Sequence, residues 1–169
     1  MAPTLYLNDF QRAARRLDRN LLAQKKLEIE LGVWLESVVL RLQKSAWANK
    51  PYERPQSGAA IFFSVWINEK AVKENKILYN IHALKLRQLQ GYKIASREFA
   101  TAFRARFKPF EPHWPNVKTD LGPLTLMEGW EKLDRTDIGE AVFRIASKFL
   151  EIDHLVDELL EQYRYPTSR

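Results

Sequence analysis

Four arginines near the start of the chain have the spacing that places side chains on one face of a helix. They occur at i, i+3, i+4 and i+7: Arg12, Arg15, Arg16 and Arg19. A guanidinium group donates two parallel hydrogen bonds to a phosphate, so this face is a candidate anion-binding surface. Asp9 and Asp18 lie within one helical turn of the set. The alternative is therefore the solvated face of an amphipathic helix.

A second basic set occurs in the middle of the chain. Its members extend from a predicted strand into a predicted helix: Lys85, Arg87, Lys93, Arg97, Arg104 and Lys108. Tyr92 and Trp114 are close to this set in sequence, and aromatic rings in such positions stack on nucleic acid bases. The alternative is that acidic residues of a C-terminal helix cover these cations.

The net charge is unevenly distributed along the chain. Residues 1–50 carry +4, residues 51–110 carry +7 and residues 111–169 carry −5, which gives +6 overall and a pI near 9.5. A basic protein of this kind favours an anionic partner such as nucleic acid, anionic lipid or an acidic protein surface. The same distribution also fits an acidic element that packs against a basic one.

Glu74 and Lys76 have a Glu-x-Lys spacing that also occurs in metal-dependent nucleases, and His82 follows on the same predicted strand. In such enzymes a carboxylate binds the metal and a lysine stabilises charge during attack on the phosphodiester. No aspartate precedes Glu74 on a strand, and short matches are frequent by chance. Polar side chains that hydrogen-bond to one another explain Asn80 and His82 equally well.

A proline-rich loop contains three residues of the types that bind metals or transfer protons: Glu111, His113 and Asp120. Loops of this composition often carry function on a rigid scaffold. They are also common as plain connections, and a metal site requires a geometry that spacing does not define.

Several classes of protein are excluded by composition. There is no cysteine, which removes disulfides, thiolate metal sites and cysteine nucleophiles. The glycines form no phosphate-binding loop, so no nucleotide cofactor is expected, and we expect no cofactor at all. The chain shows no signal peptide and no apolar run of about 18 residues, which favours a cytoplasmic protein without membrane contact.

Apolar periodicity predicts the elements that position these residues. Residues 8–47 are predicted as one long helix, with a break near Gln24–Lys26 or at Gly32, and residues 48–58 as a loop. Two strands follow, at 59–68 and 77–87, with a bulge or a strand end near Ala83.

The remaining elements follow from the same patterns. A short helix is predicted over residues 96–107 and a third strand, or an irregular apolar stretch, over 124–133. A long final helix begins at Asp134 or Thr136 and extends to Tyr163.

Together these elements predict a single α+β domain over residues 1–169, with a helical part (1–47), a loop (48–58) and an αβ part (59–169). It is predicted to be helix-rich, with a small, largely antiparallel three-stranded sheet flanked by a long N-terminal helix, a short helix and a long C-terminal helix.

The favoured function is a non-enzymatic binding protein with an anionic partner, nucleic acid first. The alternatives are a protein-interaction or homodimerisation module that uses the long helices, and third a metal-dependent nuclease or phosphodiesterase.

Overall fold

The computed structural model describes residues 4–50 and 58–166, and its sheet has five strands, so the prediction of a helix-rich domain with three strands is wrong. The α+β class is confirmed. The strands are β1 (Leu27–Trp34), β2 (Ser37–Lys44), β3 (Ala60–Ile67), β4 (Lys76–Leu84) and β5 (Thr125–Lys132). Their order in the sheet follows the chain, and each neighbouring pair is antiparallel.

The helices are short. They are α1 (Thr4–Arg16), α2 (Arg19–Lys25), α3 (Glu69–Lys73), α4 (Ser96–Phe107), α5 (Ile138–Phe149) and α6 (Asp153–Gln162). Short 3₁₀ helices occur at Ser45–Trp47, Leu86–Gln88 and Lys108–His113. Among the described residues, no helix has the length and apolar character needed to cross a membrane.

The predicted helix over residues 8–47 is wrong beyond Lys25. The carboxylate of Asp18 accepts hydrogen bonds from the backbone N–H groups of Asn20 and Leu21, so α1 stops and α2 starts at this point. Lys26 then adopts a left-handed conformation that ends α2. The following residues form the antiparallel β1–β2 pair, because alternate apolar side chains pack better in a half-buried sheet.

The predicted long C-terminal helix is also wrong, because it is divided into α5 and α6 at residues 150–152. Its start is also different, since the Asp137 carboxylate caps α5 in place of Asp134 or Thr136. The break lets α5 pack on α1 while α6 packs on α4. A straight helix could not bury its apolar stripe against both.

The other predicted elements are present with small changes in their bounds. The predicted strands at 59–68, 77–87 and 124–133 are β3, β4 and β5, and the helix at 96–107 is α4. The sheet register shifts between Ile81 and His82, two residues before the predicted bulge. Most of the predicted loop at 48–58 lies outside the described residues.

The core lies between the helices and one face of the sheet. Phe63 of β3 stacks on Phe149 of α5 with ring centres 4.4 Å apart, and Trp114 meets Phe63 edge-on. Gly129 of β5 is required here, because a Cβ at this position would lie 2.4 Å from the hydroxyl of Tyr79. That hydroxyl donates to the Pro115 carbonyl at 2.7 Å.

Candidate functional site

The described helices pack on one face of the sheet and leave the other uncovered. Core-face residues such as Leu40, Phe63 and Ile81 belong to the hydrophobic core together with helix residues. Val39 and Phe62, adjacent to Leu40 and Phe63, are buried by their neighbours on the sheet and are not part of that core. We call the uncovered side the open face: the even-numbered residues of β1, β3 and β4, the odd-numbered residues of β2, and Glu128, Trp130 and Lys132 of β5.

An apolar row crosses the open face from β2 to β5. Val39, Trp66, Leu78 and Trp130 are in register across the four strands. The two tryptophans are half-buried, so part of each indole ring remains open to solvent. Antiparallel sheets usually present a polar surface to solvent, and exposed tryptophans there are typical of a binding surface.

Trp34 extends the aromatic surface at the β1 end. Its ring lies over Gly32, since a Cβ at Gly32 would be 2.9 Å from the Cη2 atom of Trp34. The guanidinium carbon of Arg41 is 4.6 Å from the Trp34 ring centre and 4.4 Å from that of Phe62. Arg41 is thus held between two aromatic rings by cation–π contacts, which fix the position of its donors.

A polar row lies beside the apolar one. Arg41, Ser64 and Asn80 are in register on β2, β3 and β4. Asn80 is only 7 % exposed and Ser64 only 4 %. The buried Nε of Arg41 and the buried Oδ1 of Asn80 have no hydrogen-bond partner within the described part of the chain. Each unmet group costs about 1–3 kcal/mol, so this row holds a donor and an acceptor that a ligand would satisfy.

His82 lies next to the polar row on β4. Its ring centre is 5.4 Å from that of Phe62, and its Nδ1 is 3.2 Å from the hydroxyl oxygen of Thr125. Burial, together with the charge of Arg41, lowers the pKa of His82 below 6.5, although a backbone hydrogen bond at Leu124 opposes the shift. His82 therefore presents a neutral ring at pH 7. A shallow groove of about 350 Å³ includes this histidine and the polar row.

Two lysines lie directly opposite each other at one end of the open face. Lys76 of β4 and Lys132 of β5 are in register, and like charges in that arrangement repel. The Lys76 ammonium is 4.5 Å from the Trp130 ring centre and 4.0 Å from the Glu74 carboxylate. Arg144 joins both lysines around a cleft of about 640 Å³. The corner thus brings three cationic side chains together, and Glu74 and Glu131 line the same cleft.

The first arginine set is not one continuous face. The break between α1 and α2 separates Arg19 from the other three arginines. Arg12 pairs with Asp9, while Arg16 pairs with Glu140 at 2.7 Å and lies over the Phe143 ring. Arg15 and Arg19 are exposed.

The second basic set is dispersed, and one member has a structural role. Five of its members are exposed: Lys85, Arg87, Lys93, Arg97 and Lys108. Arg104 instead donates to the backbone carbonyls of Gly122, Thr125 and Leu126, at 2.9 to 3.1 Å. Burial lowers its pKa. These bonds hold the chain at the point where it enters β5.

The two aromatic residues predicted to stack on bases are buried. Tyr92 is 7 % exposed and Trp114 is 2 % exposed. The Trp114 ring packs among core rings, with Tyr79 at 5.0 Å and Phe107 at 6.4 Å between ring centres. Neither ring is open to a base in this structure.

Part of the charge segregation is internal. Asp153 of α6, 1 % exposed, pairs with Lys25 at 2.8 Å and Lys44 at 2.9 Å. Asp157 binds Lys44 and accepts from the indole N–H of Trp47 at 2.8 Å. Burial lowers the pKa of Lys44, but its hydrogen bonds to Asp157 and Asp153 outweigh burial and raise that pKa above 10.5. These contacts pair the acidic side chains of α6 with Lys25 and Lys44 and with no member of the second basic set, so the covering of that set by a C-terminal helix stays a prediction.

The predicted catalytic residues do not form one site. Glu74 lies in the turn before β4, and the positions of Lys76 and His82 on that strand are about 20 Å apart at the usual rise per residue. Within the described ranges, no three His, Cys, Asp or Glu side chains are arranged to hold a metal ion.

The predicted metal residues lie around the Lys108–His113 helix. His113 and Asp120 are exposed and Glu111 is half-buried, and the backbone carbonyl of His113 accepts a hydrogen bond from the Lys148 ammonium at 3.0 Å.

The residues of the open face that the sequence did not reveal include Trp34, Arg41 and Trp66. The first two lie in the segment predicted as helix, and Trp66 lies in the strand predicted at 59–68, to which no site residue was assigned. A period-two pattern in residues 27–44 was the available signal. Comparison with protein-family models, curated proteins and solved structures gives no match to this chain.

Proposed function

We propose that the protein is a non-enzymatic binding protein whose open face binds single-stranded nucleic acid. The observation that carries the proposal is the uncovered sheet face with the partly exposed rings of Trp34, Trp66 and Trp130. Sheets with exposed aromatic side chains bind single strands because every base has a flat face that stacks on a ring. A duplex hides those faces, so single strands are the preferred partner.

Charge complementarity supports a phosphate-bearing partner. Lys76 and Lys132 repel each other in the free protein, and a phosphate between them would remove that repulsion. Acidic side chains lie at the two lateral edges, with Glu28 and Glu30 on β1 and Glu128 on β5. A polyanion would therefore run along β3 and β4, between the acidic edges. Nine residues of β4 provide a path of about 30 Å.

The test is fluorescence anisotropy with labelled single-stranded RNA, single-stranded DNA and duplexes of equal length, at about 50 and 200 mM salt. We expect single strands to bind more tightly than duplexes. Trp66→Ala with Trp130→Ala should weaken binding by about tenfold or more, since stacking contributes about 1–3 kcal/mol per base. Tyr165→Ala, an exposed aromatic residue away from the sheet, is the matched control and should bind as the wild type does.

The phosphate contacts have their own measurement. The double variant Lys76→Ala with Lys132→Ala should make the plot of log affinity against log salt less steep. The slope should fall by about 0.7 for each phosphate contact that is lost. The control variant Arg15→Ala with Arg97→Ala removes two exposed cations that lie away from the open face. It should change the slope less. Absence of binding to single strands at low salt, or unchanged affinity in the double tryptophan variant, would refute the proposal.

A protein-interaction module remains the second candidate, on a specific observation. At the β1–β2 turn Leu35 is 99 % exposed and Val33 is 41 % exposed, beside Trp34. Such an apolar tip is typical of a protein contact. The predicted homodimer required two long helices, and the longest described helix is α1 with 13 residues. Sedimentation of the wild type and of Leu35→Glu tests this candidate. The candidate requires that the wild type forms an assembly and that Leu35→Glu disrupts it.

A further inference from the structure

The centre of the open face contains two buried polar atoms with opposite requirements. Arg41 Nε is a donor and Asn80 Oδ1 is an acceptor, and neither has a partner among the described residues. Both residues lie in one row across three strands with Ser64 between them. Asn80 is more than nine-tenths buried, so bulk water satisfies its oxygen poorly.

The pairing of requirements restricts the ligand group. A phosphate offers only acceptor oxygens, which would suit Arg41 and repel the carbonyl oxygen of Asn80. A hydrocarbon ring would satisfy neither atom. A nucleobase carries donors and acceptors together on one edge, and its flat face fits against the indole rings.

We infer that the row formed by Arg41, Ser64 and Asn80 binds the edge of a nucleobase whose face lies on Trp66. This inference rests on the proposed function. It adds that the ligand must carry bases as well as phosphates. The proposed phosphate contact at Lys76 is four residues from Asn80 on β4, or about 13 Å along the strand. Base and phosphate contacts thus occur on one strand, at separate positions.

The expected behaviour is recognition of bases in addition to the phosphate chain. The wild type should bind the best of four single-base oligonucleotides about tenfold or more tightly than an abasic oligonucleotide of equal length. Asn80→Leu keeps a similar shape and removes the acceptor. It should lose most of that ratio, keep its affinity for the abasic chain, and melt at the same or a higher temperature.

A matched control is available on the same face. Gln43 is also polar, but its amide donates to the Ile61 carbonyl at 3.3 Å and is thus satisfied. Gln43→Leu should keep the ratio between base-containing and abasic chains. Arg41→Lys serves as a second variant, because it keeps the charge and should still reduce the ratio.

Three results overturn the inference. A wild type that binds the abasic chain as tightly as the best base-containing chain shows that no base is read, and it leaves the proposed function standing. Folded Asn80→Leu and Arg41→Lys variants that keep the wild-type ratio of affinities for base-containing and abasic chains show that this row does not recognise the base. No binding of any oligonucleotide refutes the proposed function and the inference together.

Discussion

The two faces of the sheet bury their side chains for different reasons. Phe62 and Phe63 are neighbours on β3, and both are almost inaccessible to solvent. Phe63 lies against Phe149 and Trp114 in the core, whereas Phe62 lies beneath Arg41 and against His82 on the open face. Low accessibility therefore does not identify the core by itself. What covers the ring decides whether the residue stabilises the fold or shapes a surface.

Polar groups show the same contrast. On the core side, Asp153 and Lys44 are buried and paired with each other, and Asp153 also binds Lys25. On the open face, buried atoms of Arg41 and Asn80 have no partner in the described chain. A paired buried charge is explained by the fold alone. A buried group without a partner is not explained by the fold alone, and a ligand that bonds to it would explain it.

The first prediction compares the adjacent phenylalanines. Phe63→Ala should lower the free energy of unfolding by about 4 kcal/mol, because it leaves a cavity among core rings. Phe62→Ala should cost about 2 kcal/mol or less, because the surrounding side chains can close over the gap from solvent. Urea unfolding of both variants measures the difference. Equal losses would mean that the open face is packed as tightly as the core.

The second prediction breaks the charge network of the core side. Asp153→Ala should cost about 3 kcal/mol, because Lys44 stays buried with one carboxylate fewer. Glu161→Ala, on the same helix α6, removes an exposed ion pair with Arg164 and should leave the unfolding midpoint unchanged.

The alkaline limb of the stability profile checks the same network. The pKa of Lys44 is raised by folding, so its stabilisation is complete below pH 10.5 and disappears as pH rises through the folded pKa. As pH rises above 10.5, the free energy of unfolding of Asp153→Ala should fall less than that of the wild type. If the wild type and Asp153→Ala have similar unfolding midpoints, the network contributes little to stability.

The sequence predicts elements well where only one periodicity fits. Phe99, Phe103 and Phe107 recur at helical spacing alone, and α4 has the predicted bounds. Residues 27–44 were misread because Leu27, Leu31 and Leu42 suit both a helix and alternate positions of strands. The turn between β1 and β2 also lacks the usual signal, since Leu35 and Glu36 occupy positions that favour glycine or asparagine.

The candidate site was less predictable because it depends on what packs against each face. Arg104 and Trp114 have the right side chains for nucleic acid binding, yet the fold uses both internally. The open face exists because the described helices all pack on one side of the sheet, a property of tertiary packing that no local pattern records. The roles of the exposed cations remain predictions.

The third prediction concerns the β1–β2 turn at the margin of the open face. Leu35 and Glu36 have φ angles of 50° and 63°, which are strained for residues with a Cβ. Leu35→Asn with Glu36→Gly should raise the free energy of unfolding by about 1–2 kcal/mol. It should leave oligonucleotide binding unchanged, because the tryptophans remain in place. Loss of oligonucleotide binding would instead make the apolar tip part of the site.

The smallest expected effect is acid sensitivity on the open face. Folding lowers the pKa of His82 because burial and the nearby Arg41 disfavour the imidazolium. Below pH 6.5 the unfolded chain takes up this proton before the folded chain does, so stability falls as pH decreases from 6.5 to the folded pKa and is fully present above 6.5. His82→Phe should remove that component, so its unfolding free energy should decline less than the wild-type value between pH 7 and pH 5. Parallel profiles would show that the His82 ring is as well solvated as in the unfolded chain. The open face would then be a wet surface beside Phe62, and the contrast with the core face would be greater than the accessible area of Phe62 indicates.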